Sequence, residues 1–137
     1  ARDGGRAVTA FFNEVGGFLK ENGEDEALKP LLAPLAASLG HLQQATMWFM
    51  NNALAKPDNA GAGATDYMHL LGLVSLGYMW AKMAKVAQDK LKAGANGATE
   101  RMNTKLVTAR FFMERSMPET AAHLARITSG ADATMAL

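Results

Sequence analysis

Apolar residues recur along this chain in steps of three and four, which is the spacing of one face of an α-helix. The clearest run is a seam formed by Leu28, Leu32, Leu35, Leu39, Leu42, Thr46, Phe49 and Ala53. A shorter N-terminal stretch has the same spacing at Val8, Phe11, Phe12, Val15, Phe18 and Leu19. No run alternates between apolar and polar positions as a half-buried strand does, so we predict an all-α fold.

Capping and helix-breaking residues divide this pattern into helices. We predict an N-terminal helix within 1–23 and bundle helices over 24–55, 65–93 and 99–130. Together they form a single domain, 1–137, an antiparallel four-helix bundle with the shorter N-terminal helix packed on or beside it.

The predicted boundaries depend on a few short motifs. Asp3, Thr65 and Thr99 are expected to cap helices, and Lys56–Ala64 is expected to be a loop because it contains Pro and Gly. Gly94-Ala-Asn-Gly97 predicts a turn. Ser116-Met-Pro-Glu119 predicts a capping box, with a kink or restart of the helix at its proline.

The third helix carries apolar residues around more of its circumference than a surface helix needs, above all between Asp66 and Trp80. If Lys82, Lys85 and Asp89 mark its solvent side, its core residues are Leu73, Leu76, Gly77, Trp80, Met83, Ala84, Ala87 and Leu91. The apolar residues outside that core, together with similar ones on the second and fourth helices, form a candidate docking surface: Trp48, Tyr67, Leu71, Val74, Tyr78, Val107 and Phe111. Alternatively, the Phe residues of the first helix cover part of it.

The composition sets limits on function. A chain of 137 residues without Cys contains no disulfide or thiolate metal site, and it is compatible with a cytoplasmic location. The net charge of +1 gives no electrostatic case for nucleic acid. His69, Lys82 and Lys85 interrupt the one apolar stretch of membrane-spanning length, so no span is predicted. The sequence does not begin with Met, and we expect it to be a segment of a longer or processed chain.

Carboxylates lie close to histidines at two places, Asp66 with His69 and Glu119 with His123. Di-iron bundles require inward carboxylates on all four helices and the Glu-x-x-His spacing on two of them, and neither pair has it. We therefore predict no metal, catalytic or cofactor-binding residues, with a metal-dependent bundle as a minor alternative. The roles of His41, His69 and His123 stay open.

Three stretches, Arg2–Val8, Asn52–Trp80 and Lys105–Thr120, resemble a known family. They are similar to the C-terminal extension of flavin-dependent acyl-CoA dehydrogenases of the 3-methylmercaptopropionyl-CoA dehydrogenase-like group. The resemblance covers nearly the whole chain, although its motifs are helix-packing and turn patterns.

The resemblance implies a parent oxidoreductase of fatty acid metabolism, in which a carboxylate takes the α proton of an acyl thioester while a hydride passes to FAD. The catalytic Glu of that family lies in a Tyr-Glu-Gly-Thr-type segment, which does not occur here. The implied role is therefore a non-catalytic, cytoplasmic accessory domain that docks on the catalytic core or on a neighbouring subunit. The alternative is a stand-alone helical module that self-associates through the same apolar faces.

Overall fold

The computed structural model describes residues 3–94 and 99–137, and these residues form helices and connecting turns without a strand. The helices are α1 (Arg6–Asn22), α2 (Lys29–Asn52), α3 (Pro57–Lys92), α4 (Thr99–Arg115), α5 (Glu119–Thr128) and the single turn α6 (Asp132–Met135). The predicted all-α helical bundle is confirmed.

Close contacts at two glycines fix the directions of the helices. A Cβ atom on Gly63 would lie 2.7 Å from the Phe49 ring and 3.6 Å from Ile127, whereas one on Gly77 would lie 2.6 Å from Met117 and 3.5 Å from Leu35. As α3 advances, its neighbours on α2 and on α4–α5 therefore come from earlier positions. α3 runs antiparallel to both and packs against α2, α4 and α5, while α1 lies beside α2.

The core confirms the seam of α2, in which all five leucines are buried. On α3, however, two residues assigned to the docking surface are in the core: Val74 is fully buried and Tyr78 is 4% exposed. Leu76, which was assigned to the core, is 52% exposed. The error came from Lys82, whose ammonium group lies 5.1 Å from the centre of the Tyr78 ring. A long lysine side chain covers apolar surface in this way, so its position does not mark the solvent side.

α3 begins at Pro57, so the prediction of a loop over Lys56–Ala64 with a cap at Thr65 is wrong. Proline is compatible with the first turn of a helix, where its missing N–H has no partner in any case. The absence of a side chain on Gly63 also lets the Phe49 ring approach the helix. What looked like breakers in sequence are thus a helix start and a packing contact.

The boundaries of the other helices agree only in part with the prediction. The N-cap of α1 is Gly5 and not Asp3, although the Asp3 carboxylate reaches the first turn and accepts hydrogen bonds from the main-chain N–H groups of Gly5 and Ala7. α2 begins at Lys29 instead of residue 24, because the Asp25 carboxylate holds a turn by accepting the N–H of Ala27.

The expected restart at Pro118 is confirmed, because α4 ends at Arg115 and α5 begins at Glu119. The capping box is not formed: Ser116 accepts the Glu119 N–H through its main-chain carbonyl, at 3.2 Å. Gly94 ends α3 with a positive φ of 68°, and the remainder of the predicted turn, 95–98, lies outside the described residues. Among the described helices, none has the length and apolar character that a membrane crossing requires.

Candidate docking surface

The seven predicted docking residues do not form one surface. Besides the buried Val74 and Tyr78, Tyr67 and Leu71 are half-buried and pack against the core. The Tyr67 hydroxyl lies 2.7 Å from the Thr46 hydroxyl and joins α3 to α2. Trp48 is also half-buried, with its ring edge-on to Phe49 at 5.6 Å.

Val107 and Phe111 are the two predicted residues that lie well outside the core, at 68% and 62% exposed. They follow one another by four residues on α4, on the side opposite the buried Met102, Ala109 and Met113. α4 therefore presents an apolar strip to solvent.

α3 carries a second exposed apolar strip, which was not predicted from the sequence. Leu76, Met79 and Val86 are 52%, 45% and 52% exposed, and the half-buried Met83 lies between the last two. Their steps of three and four residues place them on one side of the helix, roughly opposite Leu70 and Ala81. The steps of three and four residues are visible in the sequence, but Leu76 and Met83 were predicted to be core residues, and Met79 and Val86 were assigned to neither the core nor the docking surface.

The two strips lie at about the same height on neighbouring antiparallel helices. Gly77 of α3 lies beside Met117, two residues after the end of α4. Met83 comes six residues after Gly77, and Phe111 comes six residues before Met117. Equal rises along two packed helices keep these side chains level. We call the set of Leu76, Met79, Val86, Val107 and Phe111 the outer face.

A polar cluster joins α3 to α5 and pairs residues that are distant in sequence. The Nδ1 atom of the buried His123 lies 2.7 Å from the Asp66 carboxylate, and Arg126 donates to the same oxygen from Nε at 2.7 Å. The same Nδ1 atom also lies 3.0 Å from Nη2 of Arg126, so the three side chains form one cluster. The His69 ring packs edge-on to His123 at 5.5 Å.

The electrostatics of this cluster favour an ionised Asp66. Burial raises the pKa of Asp66, but hydrogen bonds from His123 and Arg126 outweigh burial and hold the pKa below its usual value. Spacing along single helices predicts the pairs Asp66 with His69 and Glu119 with His123. The observed partners, 57 residues apart, left no local signal.

His41 belongs to another interhelical cluster, with hydroxyl groups of α2 and α5. Its Nδ1 atom lies 2.9 Å from the Thr120 hydroxyl, which is 3.1 Å from the Ser38 hydroxyl. Thr120 and Ser38 are both buried. Hydrogen-bonded polar groups of this kind fix how two helices pack. The cluster therefore has a structural explanation. Across residues 3–94 and 99–137, His, Asp and Glu side chains form no group of three that could hold a metal.

Comparison with known proteins identifies the kind of domain that this bundle is. Residues 11–137 match the family described as "Acetyl-CoA dehydrogenase C-terminal like", and the chain belongs to that family. The resemblance inferred from the three sequence stretches is confirmed.

A curated relative is the 3-methylmercaptopropionyl-CoA dehydrogenase of Ruegeria pomeroyi. It is 28% identical over 142 residues, an alignment that covers 98% of this chain and 23% of the relative. The chain thus spans about a quarter of the length of the relative it matches.

Proposed function

We propose that this chain is the accessory C-terminal domain of an FAD-dependent acyl-CoA dehydrogenase and that it docks through the outer face. Under this proposal the parent is a cytoplasmic enzyme of fatty acid metabolism that removes hydrogens from the α and β carbons of an acyl-CoA. The domain binds the catalytic core or a neighbouring subunit. Family membership supports the accessory role. The matched segment is 23% of the relative, so most of that enzyme lies outside the part that resembles this chain.

The observation that carries the docking proposal is the exposed pair Val107 and Phe111, level with exposed apolar residues of α3. Isolated apolar side chains are common on protein surfaces, but a set shared by neighbouring helices is typical of a surface that another molecule covers. Aromatic and methionine side chains are also the types that interface cores favour.

FAD belongs to the parent in this proposal, because the described residues do not fit it. A cofactor site normally buries most of its ligand in a cleft. The depression along α4 is open and is lined by Thr99, Glu100, Asn103, Thr104, Val107 and Thr108. The Glu100 carboxylate would repel a pyrophosphate there, so we assign no step of the parent's chemistry to this chain.

Docking is tested by charging the outer face in the full-length enzyme. Val107→Asp combined with Phe111→Asp should lower the temperature at which flavin is released by several degrees, because two carboxylates would be buried without partners. Met135→Asp is the matched control: Met135 is also 62% exposed but lies on α6. Flavin fluorescence during heating gives the readout. If the double variant behaves like the control, the outer face is not a docking surface.

The alternative of a self-associating module is distinguished by the behaviour of the 137-residue chain alone. A tight, specific dimer that the same double substitution dissociates would favour the module. A monomer, or a mixture of non-specific aggregates, favours a domain that normally rests on its parent core. Sedimentation equilibrium separates these outcomes.

A further inference from the structure

The charged side chains around the outer face leave an excess of positive charge. Helix positions three or four residues apart are neighbours. Six charged residues have this spacing from a residue of the outer face: Lys82, Asp89 and Lys90 on α3, and Arg110, Glu114 and Arg115 on α4. Both carboxylates are paired within their own helices, since Lys85 donates to Asp89 at 2.7 Å and Arg110 donates to Glu114 at 2.6 Å. The other three cations are exposed and form no ion pair within the described part of the chain.

These three cations are spread along the outer face. Because Gly77 lies beside Met117, Arg115 is level with Met79 on the neighbouring helix. Lys90 lies eleven residues after Met79, which is about 16 Å further along α3. Lys82 lies between them. Its ammonium group is 5.1 Å from the centre of the Tyr78 ring, but a neutral ring does not cancel its charge.

The charge of the whole chain is divided in the same way. Residues 76–115, which carry the outer face, contain eight Lys or Arg and three Asp or Glu, whereas the rest of the chain contains six and ten. The bundle is therefore positive on the side of the outer face, although its net charge is only +1. A field of this kind attracts a negatively charged partner surface to that side.

A second copy of this chain does not supply the missing carboxylates. In a two-fold symmetric contact the outer face would meet itself, so Lys82, Lys90 and Arg115 would face the same cations. Like charges placed together across an interface oppose binding. The acidic connection between α1 and α2 has the right charge, but it exposes no large apolar side chain that could cover the outer face.

We propose that the outer face binds an acidic surface on the catalytic part of the parent enzyme, whose carboxylates pair with Lys82, Lys90 and Arg115 around an apolar contact. This inference rests on the proposed function and makes it more specific, because it names the chemistry of the partner surface and excludes a second copy of the bundle. An apolar centre with a polar rim is the common anatomy of a protein interface. The rim charges then determine which surface is chosen and in which orientation.

Reversal of one of these charges in the full-length enzyme tests the inference. Lys90→Glu should lower the temperature of flavin release by a few degrees, because it would place a carboxylate against the carboxylates of the partner. Lys20→Glu is the matched control: Lys20 is also an exposed lysine in the last turn of its helix, but that helix is α1. The difference between the two variants should shrink in about 1 M salt, where the screening length is about 3 Å.

Equal release temperatures for Lys90→Glu and Lys20→Glu, or a difference that salt leaves unchanged, would overturn the inference. The double substitution at Val107 and Phe111 separates this failure from failure of the proposed function. If the double variant releases flavin at a lower temperature while Lys90→Glu matches its control, the outer face docks on a surface that is not acidic, and only the inference fails. If the double substitution has no effect, both fail.

Carbodiimide crosslinking of the full-length enzyme identifies the carboxylates that meet the outer face. The reagent joins a lysine amine directly to a carboxylate in contact with it, and the Lys92–Asp25 ion pair, at 3.8 Å, is the internal control. Lys82 or Lys90 should crosslink to Asp or Glu residues outside 1–137. Crosslinks to residues 1–137 of a second chain, or none from either lysine while the control reacts, would refute the inference. So would binding to phosphatidylglycerol vesicles that Lys90→Glu abolishes, since the partner would then be a membrane surface.

Discussion

At the scale of single residues, the packing of α2 against α3 depends on the lack of a side chain at Gly63. A Cβ atom there would meet two carbons of the Phe49 ring, at 2.7 and 3.1 Å. An aromatic ring held between helices cannot move aside as a flexible chain can. The glycine is therefore a packing requirement of the α2–α3 contact, even though glycine is a poor helix former.

Two glycines of α3 should respond oppositely to alanine. Gly63→Ala should lower the free energy of unfolding by about 1–3 kcal/mol, because the added methyl overpacks the core. Gly72 has no neighbouring atom within 4 Å of its Cβ position, so Gly72→Ala should raise the stability by up to about 1 kcal/mol through helix propensity alone. Urea denaturation followed by circular dichroism measures both, and equal effects would contradict the packing argument.

The Asp66 cluster should make stability depend on acidity in a defined direction. Because the folded pKa of Asp66 is below its unfolded value, its ionised form stabilises the fold fully above the unfolded pKa. That contribution is lost as pH falls through the folded pKa. Asp66→Asn should thus be less stable than the wild type at pH 7, with the difference shrinking below about pH 4. Asp58→Asn, at an exposed position in the first turn of α3, is the control and should show a smaller difference.

At the scale of elements, Asn59 connects three segments that the sequence shows as separate. Its side-chain amide donates to the main-chain carbonyl of Asn52 at the end of α2, at 3.2 Å, and its side-chain oxygen accepts the N–H of Ala131 at 3.0 Å. Asp132 adds an ion pair with Lys56. The C-terminal turn α6 is thereby held against the start of α3.

Asn59→Ala would leave the buried N–H of Ala131 without its partner. We expect a loss of about 1–3 kcal/mol in the free energy of unfolding, with faster amide hydrogen exchange at residues 131–136. Asn103→Ala removes the same side chain from an exposed position of α4 and should change neither measurement appreciably. Unchanged exchange in the Asn59 variant would show that α6 is held by other contacts.

Elements with a strong internal period were predictable, and contacts between elements were not. The leucine seam of α2 and the restart at Pro118 followed from the spacing of side chains and from the missing proline N–H. The start of α3 at Pro57 was missed because the glycines that follow it are typical of a loop, whereas Gly63 lies in the helix and packs against the Phe49 ring. The partners of Asp66 are on α5, and only the folded arrangement brings them together.

At the scale of the whole molecule, the candidate surface had to be redrawn. Local spacing showed that α3 is apolar on too many sides, but it did not show which side meets α1 and α2. Val74 and Tyr78 are buried, whereas Leu76 and Met79 face solvent. An apolar helix with two covered sides has no polar stripe to orient it, so neighbouring helices decide the assignment. Val107 and Phe111, on the more polar α4, were easier to place outside the core.

The arrangement of α3, with core residues on one side and exposed apolar residues on the other, has a thermodynamic consequence. α3 extends over 36 residues and packs against α2, α4 and α5, so its exposed strip exists only while the bundle is folded. Any molecule that binds this strip binds the native state and not the unfolded chain. Binding and folding are then linked, and saturating the strip stabilises the bundle in proportion to the logarithm of ligand concentration over Kd.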